Sequence, residues 1–241
     1  MSIPYTASPS SSQFFVPKTL QSDFDNFLSQ DIPGAVEDYI LVPDWYAQAD
    51  ENYKPTIIRG EIYPDATKSR YENTDNNLNF RASLSSGIKK GDMLIDARGT
   101  IYILDWDVPP QPNNLMSRAL RCNAWTTFQR YTSEEVDENG YLIQEAGNVI
   151  IADKIPCNSY RQDGRLEYTT NSEKPGLIPN TVTMLTVQYN EQIKNLRVND
   201  TFIWHDSEYE IADIDYVGVN LNNTSGTLSI QAKKKVGGSI E

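Results

Sequence analysis

From Thr56 onward, apolar and polar residues alternate in short β-branched and aromatic runs broken by Gly, Asn, Asp and Pro. Side chains on a strand repeat every two residues, so this pattern predicts strands rather than helices. The predicted strands cover 56–63, 79–84, 93–96, 100–107, 117–124, 141–144, 149–151, 183–189, 201–205, 208–215 and 226–232. Asn139-Gly140, between 134–138 and 141–144, is a two-residue hairpin signal, because such turns need positive φ at both central positions. Upstream, Leu20, Phe24, Phe27 and Leu28 fall at helical spacing. Thr19 or Ser22 can cap that segment and Pro33-Gly34 can stop it, which predicts one short helix over 19–30.

Sliding the chain along itself exposes an internal repeat. Residues 88–124 lie over 196–232 at a constant offset of 108, with identities at Asp92/Asp200, Ile95/Ile203, Ile103/Ile211, Asp105/Asp213, Asp107/Asp215, Asn114/Asn222, Ser117/Ser225, Leu120/Leu228 and Ala124/Ala232. Each copy reads as a hairpin followed by a return strand, with a further strand before it. The expected architecture is therefore mainly β: two tandem small antiparallel β-barrels or sandwiches behind an N-terminal arm that contains the short helix. The expected boundaries are 1–55 for the arm, 56–132 for the first β domain, 133–148 for a linker hairpin and 149–241 for the second β domain.

Composition narrows the function. The 21 Lys and Arg against 33 Asp and Glu give a net charge of −12, which opposes a general grip on nucleic-acid phosphates. Two cysteines, Cys122 and Cys157, are too few to staple a secreted scaffold and are expected to be reduced. No run of apolar residues is long enough for a membrane span, and the N-terminus lacks the basic and apolar regions of a leader, so neither membrane nor targeting is expected.

Candidate chemistry is sparse. His205 is the only histidine, Cys122 alternates with Leu120 on an inward face, and Cys157 follows Pro156 in what reads as a loop. Asp105/Asp107 and Asp213/Asp215 share strand faces at spacing i, i+2; such pairs either bind Ca²⁺ or mark where an inward row turns to solvent. Lys233-Lys234-Lys235 reads as a solvated tail, and Arg118 and Arg121 as salt-bridge partners for a neighbour. Phosphate-loop, dinucleotide, zinc-protease and serine-hydrolase motifs are all missing, so the expectation is a protein without catalytic residues or cofactor.

The run Asn79-Phe80-Arg81, then Ile88-Lys89-Lys90-Gly91-Asp92 through Gly99-Thr100-Ile101-Tyr102-Ile103-Leu104, then Ala119-Leu120-Arg121-Cys122, resembles the head–tail joining (head-closure or stopper) proteins of tailed bacteriophages. The second copy departs from that pattern, with Ser207 for the Gly, Ile230 for the Cys and Gln188-Tyr189 in place of Phe-Arg. The resemblance implies a small β-barrel whose subunits form a homo-oligomeric ring, commonly six-fold, in the virion neck. Its partners would be portal or adaptor proteins and tail proteins, with transient contact to packaged DNA in the lumen. An acidic lumen wall would repel that DNA rather than hold it. On this reading Phe14, Phe15, Trp45 and Tyr46 of the arm clamp an adjacent subunit. Loops 64–79, with Lys68, Arg70 and Tyr71, and 108–115, with Pro110, Asn113 and Asn114, reach a partner ring or act as a gate.

Two other readings use the same residues. A tail- or baseplate-associated carbohydrate- or receptor-binding module would stack sugars on Trp106, Trp125 or Trp204 and use Asp105 and Asp107 as acceptors or Ca²⁺ ligands. A hydrolase acting through the Asp pairs would lose activity, but not assembly, on Asp105→Asn or Asp213→Asn.

Overall fold

The computed structural model describes residues 36–64, 78–105, 115–136, 142–144, 146–162, 182–204, 206–222 and 224–235. The helix expected over 19–30 and the turn Asn139-Gly140 lie outside them. The described strands are β1 (Glu37–Val42), β2 (Thr56–Pro64), β3 (Leu78–Ala82), β4 (Met93–Ile95), β5 (Ile101–Leu104), β6 (Leu115–Arg121), β7 (Ala124–Thr132), β8 (Glu135–Val136), β9 (Leu142–Gln144), β10 (Gly147–Gln162), β11 (Val182–Gln188), β12 (Thr201–Trp204), β13 (Ser207–Asp215) and β14 (Thr227–Lys234).

They close into two antiparallel barrels of six strands each, in the orders β1-β2-β3-β6-β5-β4 and β7-β10-β11-β14-β13-β12. Both barrels thus share one topology, with β7 in the place of β1, β10 of β2, and so on around the ring. Closure leaves neither barrel with a sheet edge open to another chain. The tandem β-barrel expectation holds, while the boundaries shift. β1 pairs with β2 and β4, so the first barrel begins near Glu37 and takes in the end of the stretch read as an arm. Its acidic start hides a strand whose inward residues Tyr39 and Leu41 are buried. β7 pairs with β10 and β12, so 124–132 opens the second barrel rather than ending the first. The β8–β9 hairpin is therefore the tip of the β7–β10 hairpin and not a linker between domains. The link is the short step through Cys122 and Asn123.

Cross-strand rows explain the packing. In the first barrel Leu41, Leu94, Tyr102 and Leu104 point inward with Phe80, Ile58 and Ala119. In the second, Phe128, Phe202, Tyr209, Ile211 and Ala232 fill the matching places, with Phe202 and Tyr209 stacked at 5.5 Å. The outward rows differ. Val42, Met93, Ile103 and Leu120 stand side by side across β1, β4, β5 and β6 and are fully or nearly fully buried as a separate cluster, with Trp45 packed on them. The same four places in the second barrel hold Gln129, Thr201, Glu210 and Lys233, none of them buried. This row of the first barrel is thus built to be covered, and the matching row of the second is polar, although exposed Tyr131, Ile150 and Ile203 stand close to it.

The repeat survives with a changed register. Asp92 and Asp200 occupy one structural position: each carboxylate accepts from the main-chain N–H three residues earlier, Lys89 at 2.8 Å and Arg197 at 2.7 Å. Each Asp carbonyl accepts from the following strand, from Leu104 and Ile211. Leu104 and not Ile103 is therefore the counterpart of Ile211, because the β12–β13 turn is one residue shorter than the β4–β5 turn. Farther on, Ala119 corresponds to Ala232, and Phe80 to Leu185 rather than Gln188. The identities Ile103/Ile211, Leu120/Leu228 and Ala124/Ala232 do not mark equivalent places. Cys157, read as a loop residue, is buried within β10, and Lys233 and Lys234 belong to β14 rather than to a tail.

Candidate functional site

The two barrels meet along a buried seam. Gln188, at the end of β11, directs its side-chain amide into the first barrel: Nε2 donates to the carbonyls of Gly91 at 2.8 Å, Pro43 at 3.0 Å and Val42 at 3.2 Å, and Oε1 accepts from the Trp45 N–H at 2.7 Å. Thr227 Oγ1 donates to Asp105 Oδ1 at 2.7 Å. Asn123, in the link, accepts from the Ser159 N–H and hydroxyl and donates to the Ser159 carbonyl. Gly91, at φ 91°, sits so close to Gly226 that a Cβ would overlap its backbone. Buried polar atoms with this many partners fix geometry, since misalignment leaves several of them unpaired.

Trp45 and Tyr46 are part of this joint. Trp45 meets Trp125 edge to face at 5.5 Å, and the Tyr46 hydroxyl donates to the Asp153 carbonyl at 2.9 Å. Expected to grip an adjacent subunit, they grip the second barrel of their own chain. Phe14, Phe15, Lys68, Arg70, Tyr71, Pro110, Asn113 and Asn114 lie outside the described residues, as do Trp106, Asp107 and His205. Of the remaining aspartates, Asp105 is engaged with Thr227, while Asp213 and Asp215 are exposed, Asp215 accepting from the Val217 N–H at 2.8 Å. Among the described residues no group of three or more His, Cys, Asp or Glu is placed to hold a metal ion. No helix among them is long and apolar enough to cross a membrane.

Where the seam opens, it forms a cleft of about 300 Å³ between the β4–β5 turn, the link and the start of β7. Arg98 and Arg121 bring two guanidinium groups to it, and Ile101, Trp125 and Pro156 give it apolar walls. The Trp125 side chain is 56% exposed, and Arg98, 78% exposed, makes only long contacts of 3.8 Å to Asp96 and 4.0 Å to Glu37. Asp96 shapes this wall: its carboxylate accepts from the Arg98 and Thr100 N–H groups, holding the five-residue turn with Gly99 at φ 79°.

A second feature stands out on the loop joining β13 to β14. Val217 is 89% exposed and Leu221 fully so, beside half-exposed Tyr216. Yet the loop is tied down. The Asn220 side chain donates to Thr224 Oγ1 and Ser225 Oγ and accepts from the Thr224 N–H, and Thr227 and Gly218 close its base. Apolar side chains held out to solvent on an ordered turn are a mark of a contact surface. Apolar Val217 and Leu221 inside a Gly/Asn/Ser-rich stretch were the sequence signal for it. Because Leu221 touches little in the monomer, Leu221→Asp is expected to change folding stability by less than about 0.5 kcal/mol in a denaturant titration.

Cys122, in the link, and Cys157, in β10 beside it, are free thiols. Burial pushes Cys157 up to about 11, with a hydrogen bond to Thr126 pulling the other way. Burial, helped by the neighbouring Cys157, raises Cys122 as well. Both are thus kept neutral in the fold, and their unfolded counterparts ionise first as pH rises. The stability gained by keeping them neutral is complete below pH about 9 and is lost as pH climbs through about 11. The expected result is a falling denaturation midpoint across that window. At about pH 8 a thiol-specific disulfide reagent should leave Cys157 unlabelled until denaturant is added, and should label Cys122, which lines the cleft, more readily than Cys157.

No protein-family model, curated protein or solved structure matches this chain.

Proposed function

We propose that this chain is a structural subunit of a tailed-phage neck, which assembles into a ring that joins the portal or adaptor to the tail and helps to retain or conduct DNA. The observation that carries this reading is the tethered apolar apex at 216–221, displayed on a body of two closed barrels. A closed barrel offers no edge for strand addition, so contacts made by the barrels themselves come from loops and side-chain patches of this kind. The Gly91-Asp92 turn and the Gly99-x-x-Tyr102-x-Ile103 run that carry the family resemblance fall on one hairpin of a small barrel, as that family implies. The proposal assigns no catalytic residue and no cofactor.

Negative-stain electron microscopy of the purified protein, alone and with portal-complex material from the same source, tests it. Rings, or a layer of density directly beneath the portal, support it. Dispersed particles found only at the tail tip or on fibres overturn it.

One observation favours the alternative of a tail-associated carbohydrate-binding module. Trp125, 56% exposed although it contacts Trp45, lies in a cleft that Arg98 and Arg121 also line, and an exposed indole beside polar groups suits a sugar ring. Asp105 contributes little to a Ca²⁺ version of that reading, because Thr227 occupies one of its oxygens. Glycan arrays probed with and without calcium separate the two functions.

A further inference from the structure

We infer that the cleft at the barrel seam receives the 213–221 loop of a second copy of this chain, so that neighbouring subunits join apex to cleft. The inference rests on the ring reading and names its contact. The two surfaces are complementary in charge. Asp213 and Asp215 lead into the apex with exposed carboxylates, and Arg98 and Arg121 line the cleft with cations. They also match in their apolar parts. Val217 and Leu221 have no cover of their own, and Ile101, Trp125 and Pro156 form a recess that can supply it.

The overall charge of −12 makes this pairing selective. Most approaches of two such subunits bring acid against acid, whereas the cleft offers an acidic loop two guanidinium groups and an aromatic face. Both sides are ordered before they meet: the apex through Asn220, the cleft wall through the Asp96 carboxylate. Little ordering entropy is then lost on contact. The contact is heterologous, with different surfaces on the two partners; repeated, it builds a ring when the rotation between neighbours closes and an open filament when it does not, and the ring reading requires the former.

The test compares wild type, Leu221→Asp, Arg98→Glu, Asp213→Arg and the double variant Arg98→Glu/Asp213→Arg by native mass spectrometry and negative-stain microscopy. Wild type should form closed rings. Each single variant should weaken association by about tenfold or more, the order expected when an interface contact worth roughly 1.4 kcal/mol is lost. The double variant, which restores opposite charges with their signs exchanged, should recover much of it. Rings unaffected by Leu221→Asp and Arg98→Glu overturn the apex-to-cleft contact while leaving the ring reading in place. A wild type that forms no ring at any concentration, alone or with portal-complex material, overturns the ring reading and this contact with it. A change in tryptophan fluorescence on adding free glucuronate that is absent in both Arg98→Glu and Trp125→Phe gives the cleft to an acidic sugar and overturns the contact as well.

Discussion

Gly91→Ala is expected to lower folding stability by about 3 kcal/mol or more, a larger loss than any exposed substitution can give. Two effects add. The residue adopts φ 91°, where a side chain is strained, and its Cβ would enter the backbone of Gly226 in the other barrel. The repeat supplies an internal control. Asn199 holds the same turn in the second barrel at φ 76°, with its N–H donating to Ile211 as the Gly91 N–H donates to Leu104, but it faces solvent. The left-handed turn alone therefore does not require glycine; close approach of the second barrel does. Asn199→Gly should be neutral to within about 0.5 kcal/mol, and Gly91→Asn should be as damaging as alanine. Chemical denaturation of the three variants decides it. If Gly91→Asn matches wild type, the seam is looser than this structure makes it.

Arg130→Ala is expected to cost about 3 kcal/mol, at the lower end of the range for breaking a buried ion pair. Arg130 Nε and Nη2 donate to the two oxygens of Asp200 at 2.7 and 2.8 Å, and Nη2 also reaches the Asn195 carbonyl. The Asp200 side chain is only 2% exposed, so removing the guanidinium strands a carboxylate that also anchors the Arg197 turn. Replacing both partners, Arg130→Met with Asp200→Asn, should recover part of the loss, because the amide needs no counter-ion. Thermal melts of Arg130→Met, Asp200→Asn and the double variant, with the wild type, give the coupling. A single variant that melts with the wild type means that water reaches Asp200 and the pair is worth no more than a surface bridge.

The alternation of apolar residues made most strands readable in the sequence, and the Asp92 and Asp200 turns made the duplication readable, because turn chemistry is local. Two strands escaped. β1 opens with Glu37-Asp38 next to prolines and aromatics, a composition that reads as an arm until its inward partners are known. β7 carries Trp125, Thr127, Gln129 and Tyr131 outward, so only Thr126 and Phe128 mark its core side. Register was the weaker part. A constant offset rewards chance identities once connections change length: the central hairpin shortens the offset to 107 at Leu104/Ile211, and the longer path to the return strand in the second copy takes it to 113 at Ala119/Ala232. The joint between barrels was not readable at all. It depends on Gln188, Gly91 and Thr227, residues brought together across long stretches of chain, and a glutamine at a strand end carries no pattern. Trp45 and Tyr46 were visible as anchors, but aromatic content says that something is gripped and not which surface.

The polar row Gln129, Thr201, Glu210 and Lys233 bears on how many barrels can be stacked. A duplicated domain that buries its outer face on the next copy carries the seed of an endless fibre, because the last copy offers that same face to whatever follows. In the second copy that row holds groups that prefer water, so it gives a further barrel nothing apolar to cover. Contacts between chains therefore gain nothing from this row and have to use other surfaces, which separates the packing that joins barrels within the chain from the packing that joins one chain to the next.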